Sequence, residues 1–304
     1  MRRVGRRLAL IALASLACGV APSSGWSQGH RQNAKGGLVQ PNIVGPGARN
    51  AGDVQFGSVV AIGFNHANGE PFLCTGTLLS ATMVLTAGHC GCGVPGSYGV
   101  DFNRDTRRDD FDRIRNVNGA PILFDPRVCI NQQLGGGNDL ALIRLVDSAV
   151  PRPPAANAPK LAGFPSDMVF DLRTTLLKGA KLTAIGYGFT SSNVLGVRMQ
   201  ADIPIFSFDC EERALGQFCA PFAEMILAEA PGPRARDDTC GGDSGGPVFR
   251  FIGGQPRLVG VTSRAAPGLQ DNPTLHCGGG GIYTLLGRKT VHDWLLANGV
   301  PQAP

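Results

Sequence analysis

The sequence predicts an all-β protein, because short apolar runs recur along it with turn-forming residues between them. The 304 residues include 43 glycines and 22 prolines, which together with Asn and Asp fill the segments between the runs. Many short strands with frequent turns are typical of a barrel or a sandwich, and the length suits two closely packed barrels. The clearest runs lie at residues 59–62, 83–85, 140–145, 182–185, 248–251 and 258–262.

The first residues have the pattern of a signal peptide. An apolar run at residues 8–16 follows a basic start and precedes small residues, and it is too short for a membrane span. We expect residues 1–27 to be the signal peptide and residues 28–42 a propeptide. Without the four leader arginines the formal net charge falls from +5 to +1, so we predict no nucleic-acid partner and no stable membrane insertion.

A proline-rich segment divides the remainder into two halves. Five prolines lie within residues 151–165, which favours a linker over a regular element. We therefore expect the first half to occupy about residues 43–150 and the second about 166–304.

One helix is predicted near the C-terminus. Thr290 and Asp293 have the spacing of a capping box, and three apolar residues after Thr290 share one face. Asn298 followed by Gly299 predicts its end. The apolar face consists of Val291, Trp294 and Leu295.

Residues 239–247 read Thr-Cys-Gly-Gly-Asp-Ser-Gly-Gly-Pro, which are typical surroundings of a nucleophilic serine. A serine hydroxyl needs a base to take its proton and amides to hold the oxyanion that forms. Flanking glycines let the backbone turn sharply and expose the N–H groups of Gly242 and Ser244. Because glycine is abundant here, this turn indicates catalysis only if a base and an acid are found elsewhere.

The best candidates for the base and the acid are His89 and Asp139. Of the five histidines, only His89 follows a strand-like apolar run, at residues 83–85, and it stands beside Cys90. A lone histidine there would be structural, and an aspartate that opens an apolar strand would be a turn residue. The order His89, Asp139, Ser244 is, however, one of the known chain orders of a catalytic triad. Together the three residues predict nucleophilic catalysis.

These motifs resemble those of the trypsin/chymotrypsin-like serine proteases, from about Ile43 to the last helix. Further similarity lies at Gly186-Tyr187-Gly188, Phe218-Cys219-Ala220 and residues 281–284. The resemblance implies a peptidase domain at residues 43–304, made of two packed six-stranded antiparallel β-barrels with a C-terminal helix on the second. It also implies that no cofactor is needed.

The resemblance also implies a role for each catalytic residue. Ser244 attacks the substrate, His89 moves the proton, and Asp139 orients His89. The amides of Gly242 and Ser244 form the oxyanion hole, and Ser263 matches the serine that supports the buried aspartate.

Eight cysteines remain after Cys18, an even number that predicts disulfides in an exported chain. Spacing alone allows 105 pairings. The resemblance implies Cys74–Cys90, Cys210–Cys219 and Cys240–Cys277, which leaves Cys92 and Cys129 to pair. A zinc site at His89, Cys90 and Cys92 is the alternative, but its one-residue spacing differs from that of a zinc knuckle. Disulfides predict a secreted protein, extracellular or periplasmic.

The resemblance places Asp238 at the floor of the primary specificity pocket. A poorly solvated carboxylate there favours Arg or Lys, and Gly281 at the pocket neck leaves room for a long side chain. Ala265 stands where a glycine is usual. Arg264 replaces an aromatic residue, so it is expected either to favour acidic substrate residues or to reach Asp238. The alternative is that residues 237–238 form a solvated loop.

Activation is predicted at Ile43, which begins an Ile-Val-Gly-Pro sequence like a mature N-terminus of the family. By the resemblance, the new α-ammonium of Ile43 pairs with Asp243 and orders the oxyanion hole. The preceding residue is Asn42, so an enzyme that prefers Arg or Lys would need another protease to activate it.

An acidic segment has ligand spacing like that of a calcium loop, but Thr106 replaces the required glycine and two arginines interrupt it. We expect a solvated surface loop and no metal. Its acidic and amide residues are Asp101, Asn103, Asp105, Asp109 and Asp112.

The sequence therefore predicts a secreted, monomeric, trypsin-like serine endopeptidase with protein or peptide substrates and an activating protease as a partner. Two alternatives remain open: a non-catalytic binding protein with the protease fold, and a serine protease of different, narrow specificity.

Overall fold

The computed structural model describes residues 43–107, 114–146, 164–165, 179–207, 210, 219–229, 236–266, 277–300 and 302–303. Among these residues strands dominate, and three helices and a 3₁₀ turn accompany them. The helices are α1 (Asp53–Phe56), α2 (Arg127–Asn131) and α3 (Lys289–Ala297), and the 3₁₀ turn covers Gly88–Gly91. The strands are β1 (Arg49–Asn50), β2 (Val59–Asn65), β3 (Pro71–Ser80), β4 (Met83–Thr86), β5 (Gly99–Asp101), β6 (Ile114–Asn116), β7 (Ile122–Leu123), β8 (Ala141–Arg144), β9 (Phe164–Pro165), β10 (Lys181–Gly186), β11 (Met199–Ser207), β12 (Glu224–Leu227), β13 (Pro247–Ile252), β14 (Gln255–Ala265), β15 (Gly281–Leu285) and β16 (Gln302–Ala303).

Seven strands of the first half form one curled sheet, in the order β6-β5-β2-β3-β4-β8-β7. The turn from β2 to β3 places Gly69 at a φ of +83°, which a residue with a side chain rarely adopts. An antiparallel bridge between Val117 and Leu145 joins the segments that follow β6 and β8. The sheet therefore curls on itself, where a six-stranded barrel was expected.

Six strands of the second half close into a barrel, in the order β11-β10-β13-β14-β15-β12, because β12 also pairs with β11. Alternate residues of β11 are buried, as expected for a strand with one face on the core. The hairpin from β13 to β14 turns at Gly253 and Gly254, both with positive φ. The predicted all-β, trypsin-like fold is confirmed.

Two buried polar side chains of the second half bind backbone groups of the first. The hydroxyl of Tyr187 donates to the carbonyl of Asn103 at 2.8 Å. The guanidinium of Arg198, which is fully buried, donates to the carbonyl of Val59 at 3.0 Å and pairs with Asp53. Because each bond crosses between the halves, these contacts fix one sheet against the other.

The C-terminal helix α3 differs from its prediction at its start. Arg288 is the N-cap and makes no side-chain capping bond, so the predicted capping box at Thr290 is wrong. The predicted apolar face is correct: two of its residues are buried, and Trp294 meets the ring of Phe124 edge-on at 5.3 Å. This face joins a core cluster made mostly of first-half residues, so α3 packs on more than the second barrel. The helix ends at Asn298–Gly299 as predicted.

Four disulfides are present, and they match the expected pairs. The bridge between Cys92 and Cys129 ties the segment after the 3₁₀ turn to α2. The others are Cys74–Cys90, Cys210–Cys219 and Cys240–Cys277.

The predicted signal peptide, the predicted propeptide and most of the predicted linker lie outside the described residues. At the end of that linker, β9 pairs in parallel with β16, so residues 164–165 form a short strand. Within the described part of the chain, no helix has the length and apolarity needed to cross a membrane.

Candidate active site

Strand pairing brings His89 and Asp139 together. β4 and β8 are antiparallel, with Thr86 opposite Ala141, so the end of β4 lies beside the start of β8. His89 follows β4 in the 3₁₀ turn, and Asp139 precedes β8. His89 and Asp139, which are far apart in the sequence, therefore become neighbours where the end of β4 meets the start of β8.

The carboxylate of Asp139 is fully buried and holds His89 at two points. The Nδ1 atom of His89 lies 2.9 Å from Oδ2 and 3.1 Å from Oδ1, and the backbone N–H of His89 donates to Oδ1 at 2.8 Å. The hydroxyl of Ser263 donates to Oδ2 at 2.6 Å. Burial raises the pKa of Asp139, but the charge on His89 and the bonds from His89 and Ser263 outweigh it and lower this pKa. Asp139 is therefore a charged group at neutral pH.

Ser244 lies beside the disulfide that flanks His89. Its carbonyl accepts the N–H of Thr75 at 2.8 Å and lies 3.6 Å from Sγ of Cys90. The next residue, Gly245, donates to the carbonyl of Thr262 at 2.8 Å and has a φ of +82°. The backbone around Ser244 is thus fixed from both halves of the molecule.

Gly242 lies in a backbone conformation that favours glycine. Its φ is +97°, and a Cβ there would lie 2.8 Å from the Cα of Gly188, so a larger residue does not fit. Among the described residues, no hydrogen bond uses the N–H of Gly242 or of Ser244. Two amides beside Ser244 are therefore without a partner among the described residues, as the predicted oxyanion hole requires.

Asp243 is completely buried beneath this turn. Its Oδ1 accepts the N–H of Gly188 at 2.7 Å, and its Oδ2 accepts the N–H of Cys240 at 2.8 Å. Burial raises its pKa to about 7, although these two bonds act in the opposite direction. The carboxyl group would therefore gain from a nearby cation.

Asp238 is also buried, and backbone amides surround it. Thr239 donates to Oδ1 at 2.8 Å, while Gly278 and Gly280 donate to Oδ2 at 2.8 and 3.0 Å. Burial raises its pKa to about 6 despite these bonds. Both Asp237 and Asp238 are buried, so the alternative of a solvated loop is wrong.

Gly281 and Ala265 lie opposite each other where β14 pairs with β15. A Cβ on Gly281 would approach the ring of Tyr283 to 2.9 Å, so this position needs glycine. The end of β12 lies nearby, because a Cβ on Gly280 would meet Ala228. β12 begins at Glu224, a few residues after the Phe218-Cys219-Ala220 motif. Of that motif, Phe218 lies outside the described residues.

Arg264 does not pair with Asp238, contrary to one of the two expectations. Its guanidinium makes a two-bond ion pair with Glu224, with both nitrogen–oxygen distances at 2.9 Å. The reasoning from sequence missed Glu224, which is completely buried. Its signal was available: a carboxylate that opens an apolar strand needs a buried partner.

The segment that begins with Ile43 lies against Asp238. Ile43 is completely buried, and Val44 exchanges two backbone hydrogen bonds of 3.1 Å with Asp238. The N–H of Gly47 donates to Asp237 at 2.7 Å. Residues 43–47 are therefore held against Asp237 and Asp238.

The acidic segment forms internal bonds in its described part. Asp101 accepts the N–H of Asn103 at 2.7 Å, and Asp105 accepts two side-chain bonds from Arg107 at 2.7 and 2.8 Å. Asp109 and Asp112 lie outside the described residues.

Ligand atoms of His89 and of the Cys74–Cys90 pair lie within 4.8 Å of one another. The two sulfur atoms are bonded together, so this group does not offer two thiolates to a metal.

The fold and the site agree with what comparison with known proteins finds. The family model named Trypsin matches residues 47–284, most of the chain. The protein therefore belongs to the trypsin family of serine proteases.

Individual relatives are 26–30% identical to it over the aligned residues. Serine protease 56 of Homo sapiens is 30% identical over 215 residues, which cover 64% of this chain and 30% of that protein. Chymotrypsin-like elastase family member 1 of Rattus norvegicus is 27% identical over 198 residues, covering 62% and 67%. Phenoloxidase-activating factor 1 of Holotrichia diomphalia is 27% identical over 263 residues, covering 80% and 67%. The chain thus spans less than a third of serine protease 56.

Proposed function

We propose that this protein is a secreted serine endopeptidase that cuts after Arg or Lys through an acyl-enzyme. The observation that carries the proposal is the buried carboxylate of Asp139, bonded to both His89 and Ser263, with the residue after His89, Cys90, in contact with the carbonyl of Ser244. A buried carboxylate with these partners fixes the imidazole so that its other nitrogen can serve as a base. The family of the chain supports the same chemistry.

In the proposed reaction, the Ser244 hydroxyl oxygen bonds to the substrate carbonyl carbon while His89 takes the proton. The oxyanion lies against the amides of Gly242 and Ser244. The amine then leaves with the proton from His89, and an acyl-enzyme remains. Water, deprotonated by His89, attacks this ester and releases Ser244.

The preference for Arg or Lys rests on Asp238. Three amide bonds orient its carboxylate, but no cation among the described residues is paired with it. A guanidinium or ammonium would relieve the desolvation that raises its pKa. An acidic side chain in the same pocket would meet a like charge, which disfavours that alternative.

Activation is proposed to follow cleavage after Asn42. The freed α-ammonium of Ile43 would reach Asp243, pair with its charged form and lower its pKa, which offsets the cost of burying that charge. An enzyme with Asp238 at its pocket floor would not cut after Asn, so a second protease is needed. Sequencing the N-terminus of purified active enzyme tests this, and a mature chain that began at Gly36 would refute it.

Export is proposed from residues 1–27 and from the four disulfides, which persist in oxidising compartments. We propose residues 28–42 as the propeptide and residues 43–304 as the mature peptidase domain, a monomer.

The test is hydrolysis of peptide amides that end in Arg, Lys, Phe, Ala or Glu. We expect cleavage after Arg and Lys and inhibition of that cleavage by benzamidine. The variant Ser244→Ala should cleave neither peptide. Cleavage after another residue would instead support the alternative of different specificity. A folded chain that begins at Ile43 and cuts none of these peptides would support a binding protein.

A further inference from the structure

The loop before the catalytic aspartate contains three consecutive glycines. Gly136 and Gly137 have φ values of +79° and +67°, and Asp139 follows two residues later. Glycines lose more backbone freedom on ordering than other residues, so such a loop does not hold a fixed shape unaided. Something outside the loop must position it.

Three charged side chains of the second half supply that anchoring. Glu224 accepts the N–H of Gly137 at 3.0 Å. Arg288 donates to the carbonyl of Gly137, and Arg264 donates to the carbonyl of Leu134 at 3.1 Å. The loop is therefore bound at both ends, and the same ion pair makes two of these bonds.

Arg264 also contacts the residue that supports Asp139. Its Nη1 lies 3.2 Å from Oγ of Ser263, and that hydroxyl lies 2.6 Å from Oδ2 of Asp139. A carboxylate only accepts, so the Ser263 hydroxyl donates to Asp139 and turns its oxygen lone pairs towards Arg264, whose Nη1 shares its two hydrogens among Leu134, Glu224 and Ser263. This fixes the direction of the hydroxyl.

We propose that Arg264, paired with the buried Glu224, is a positioning residue for Asp139 and His89. It acts through Ser263 and through the glycine loop, and it does not touch the substrate's reacting atoms. The inference rests on the proposed function. Burial favours a role inside the protein over an exposed subsite: Glu224 is completely buried and the Arg264 side chain is 18% exposed.

The charges near the triad give the proposal a distinctive test. Glu224 and Arg288 both bind Gly137, two residues before Asp139, and the hydrogen-bond path from Arg264 to His89 is shorter than about 9 Å. Loss of the Arg264 charge should therefore shift the acid limb of the kcat/KM profile to higher pH by roughly half a unit. Loss of the Glu224 charge should shift it to lower pH.

The experiment uses the activated protein and a blocked single-residue arginine amide, which occupies only the pocket above Asp238. Arg264→Gln should lower kcat about tenfold with little change in KM, and should shift the acid limb upward. Arg264→Lys keeps the charge, so the acid limb should stay in place while kcat recovers only in part. In the double variant Arg264→Gln/Glu224→Gln, the acid limb should return to its wild-type pH, and kcat should stay low.

Asp53→Asn is the matched control, because it breaks the ion pair of another buried arginine, Arg198, which has no contact with the triad. It should lower the melting temperature without moving the acid limb. The fraction of folded enzyme is measured in every variant by near-UV circular dichroism, and the reactivity of Ser244 in the wild type is measured by labelling with a serine-directed phosphonate.

An unchanged kcat and acid limb in Arg264→Gln would overturn the inference. If Arg264→Gln does not fold, Arg264→Lys provides the test. A kcat of Arg264→Lys equal to that of the wild type would overturn the inference equally. A wild-type protein that neither hydrolyses the amide nor reacts with the phosphonate would instead refute the proposed function, so the two failures are distinguishable.

Discussion

The buried carboxyl group of Asp243 predicts how cleavage before Ile43 changes stability. Its pKa is raised to about 7, compared with an ordinary value of 3.8. A carboxyl group with a raised pKa holds more protons in the folded state than in the unfolded state. The folded protein therefore loses stability as the pH rises between these two values, and the loss is complete above pH 7.

The size of this loss follows from the shift. Each pKa unit corresponds to 1.36 kcal/mol, so charging Asp243 costs about 2 kcal/mol at pH 5 and about 4 kcal/mol at pH 7.5. An α-ammonium beside Asp243 would favour its charged form and remove this cost. For a domain of this size, about 4 kcal/mol corresponds to roughly 10 °C in Tm.

The assay compares two chains that carry Ser244→Ala, which prevents self-digestion, and that are released from a fusion partner. One begins at Ile43 and the other at Asn42, so they differ by a single residue and by the position of the ammonium. We expect the Tm advantage of the shorter chain to grow between pH 5 and pH 7.5. With Asp243→Asn added, both chains should lose that pH dependence.

Equal pH dependence of Tm in the two chains would refute the reasoning, because it would mean that the ammonium does not reach Asp243. A shorter chain that is less stable than the longer one at every pH would also refute the reasoning. Residues 43–47 would then stabilise the protein only when the chain continues before them.

Three further predictions concern the pocket and the helix. Asp238→Ser should lower kcat/KM for Arg and Lys peptides by about 10³-fold or more, because the substrate cation loses its partner; equal loss on a Phe peptide would contradict this. Benzamidine inhibition should weaken about tenfold per pH unit below about pH 6, where Asp238 takes up a proton, and a flat inhibition constant from pH 8 to pH 5 would exclude this. Trp294→Ala should destabilise the protein by about 2–3 kcal/mol in denaturant unfolding, because the contact with Phe124 is lost, whereas Leu296→Ala on the exposed face should change little.

The sequence was most informative where short motifs carry the chemistry. His89 and Asp139 each adjoin an apolar strand, and antiparallel pairing of those strands brings them together. Glycines around Ser244 also have a local reason, because positive φ and close approach leave no room for a Cβ. Local rules therefore sufficed to identify Ser244, His89 and Asp139 as candidates for the nucleophile, the base and the acid.

The sequence was least informative where a residue's partner lies far along the chain. Arg264 and Glu224 meet because β12 and β14 both pair with β15, and no local spacing encodes that contact. Thr290 failed as a cap for a related reason: the helix starts one residue before it, after Arg288. Arg288 binds Gly137 in the other half, and a capping pattern contains no information about that bond.

Under the proposed activation, the two hydrogen bonds between Val44 and Asp238 would connect maturation to ligand binding. One end of this backbone pairing belongs to the segment that follows the proposed cleavage site, and the other belongs to the proposed pocket floor. Thermodynamic coupling between two sites is mutual: if insertion of the segment tightens cation binding by some factor, a bound cation stabilises the inserted segment by that same factor. A reversible inhibitor that fills the pocket should therefore protect residues 43–47 of the cut chain from aminopeptidases.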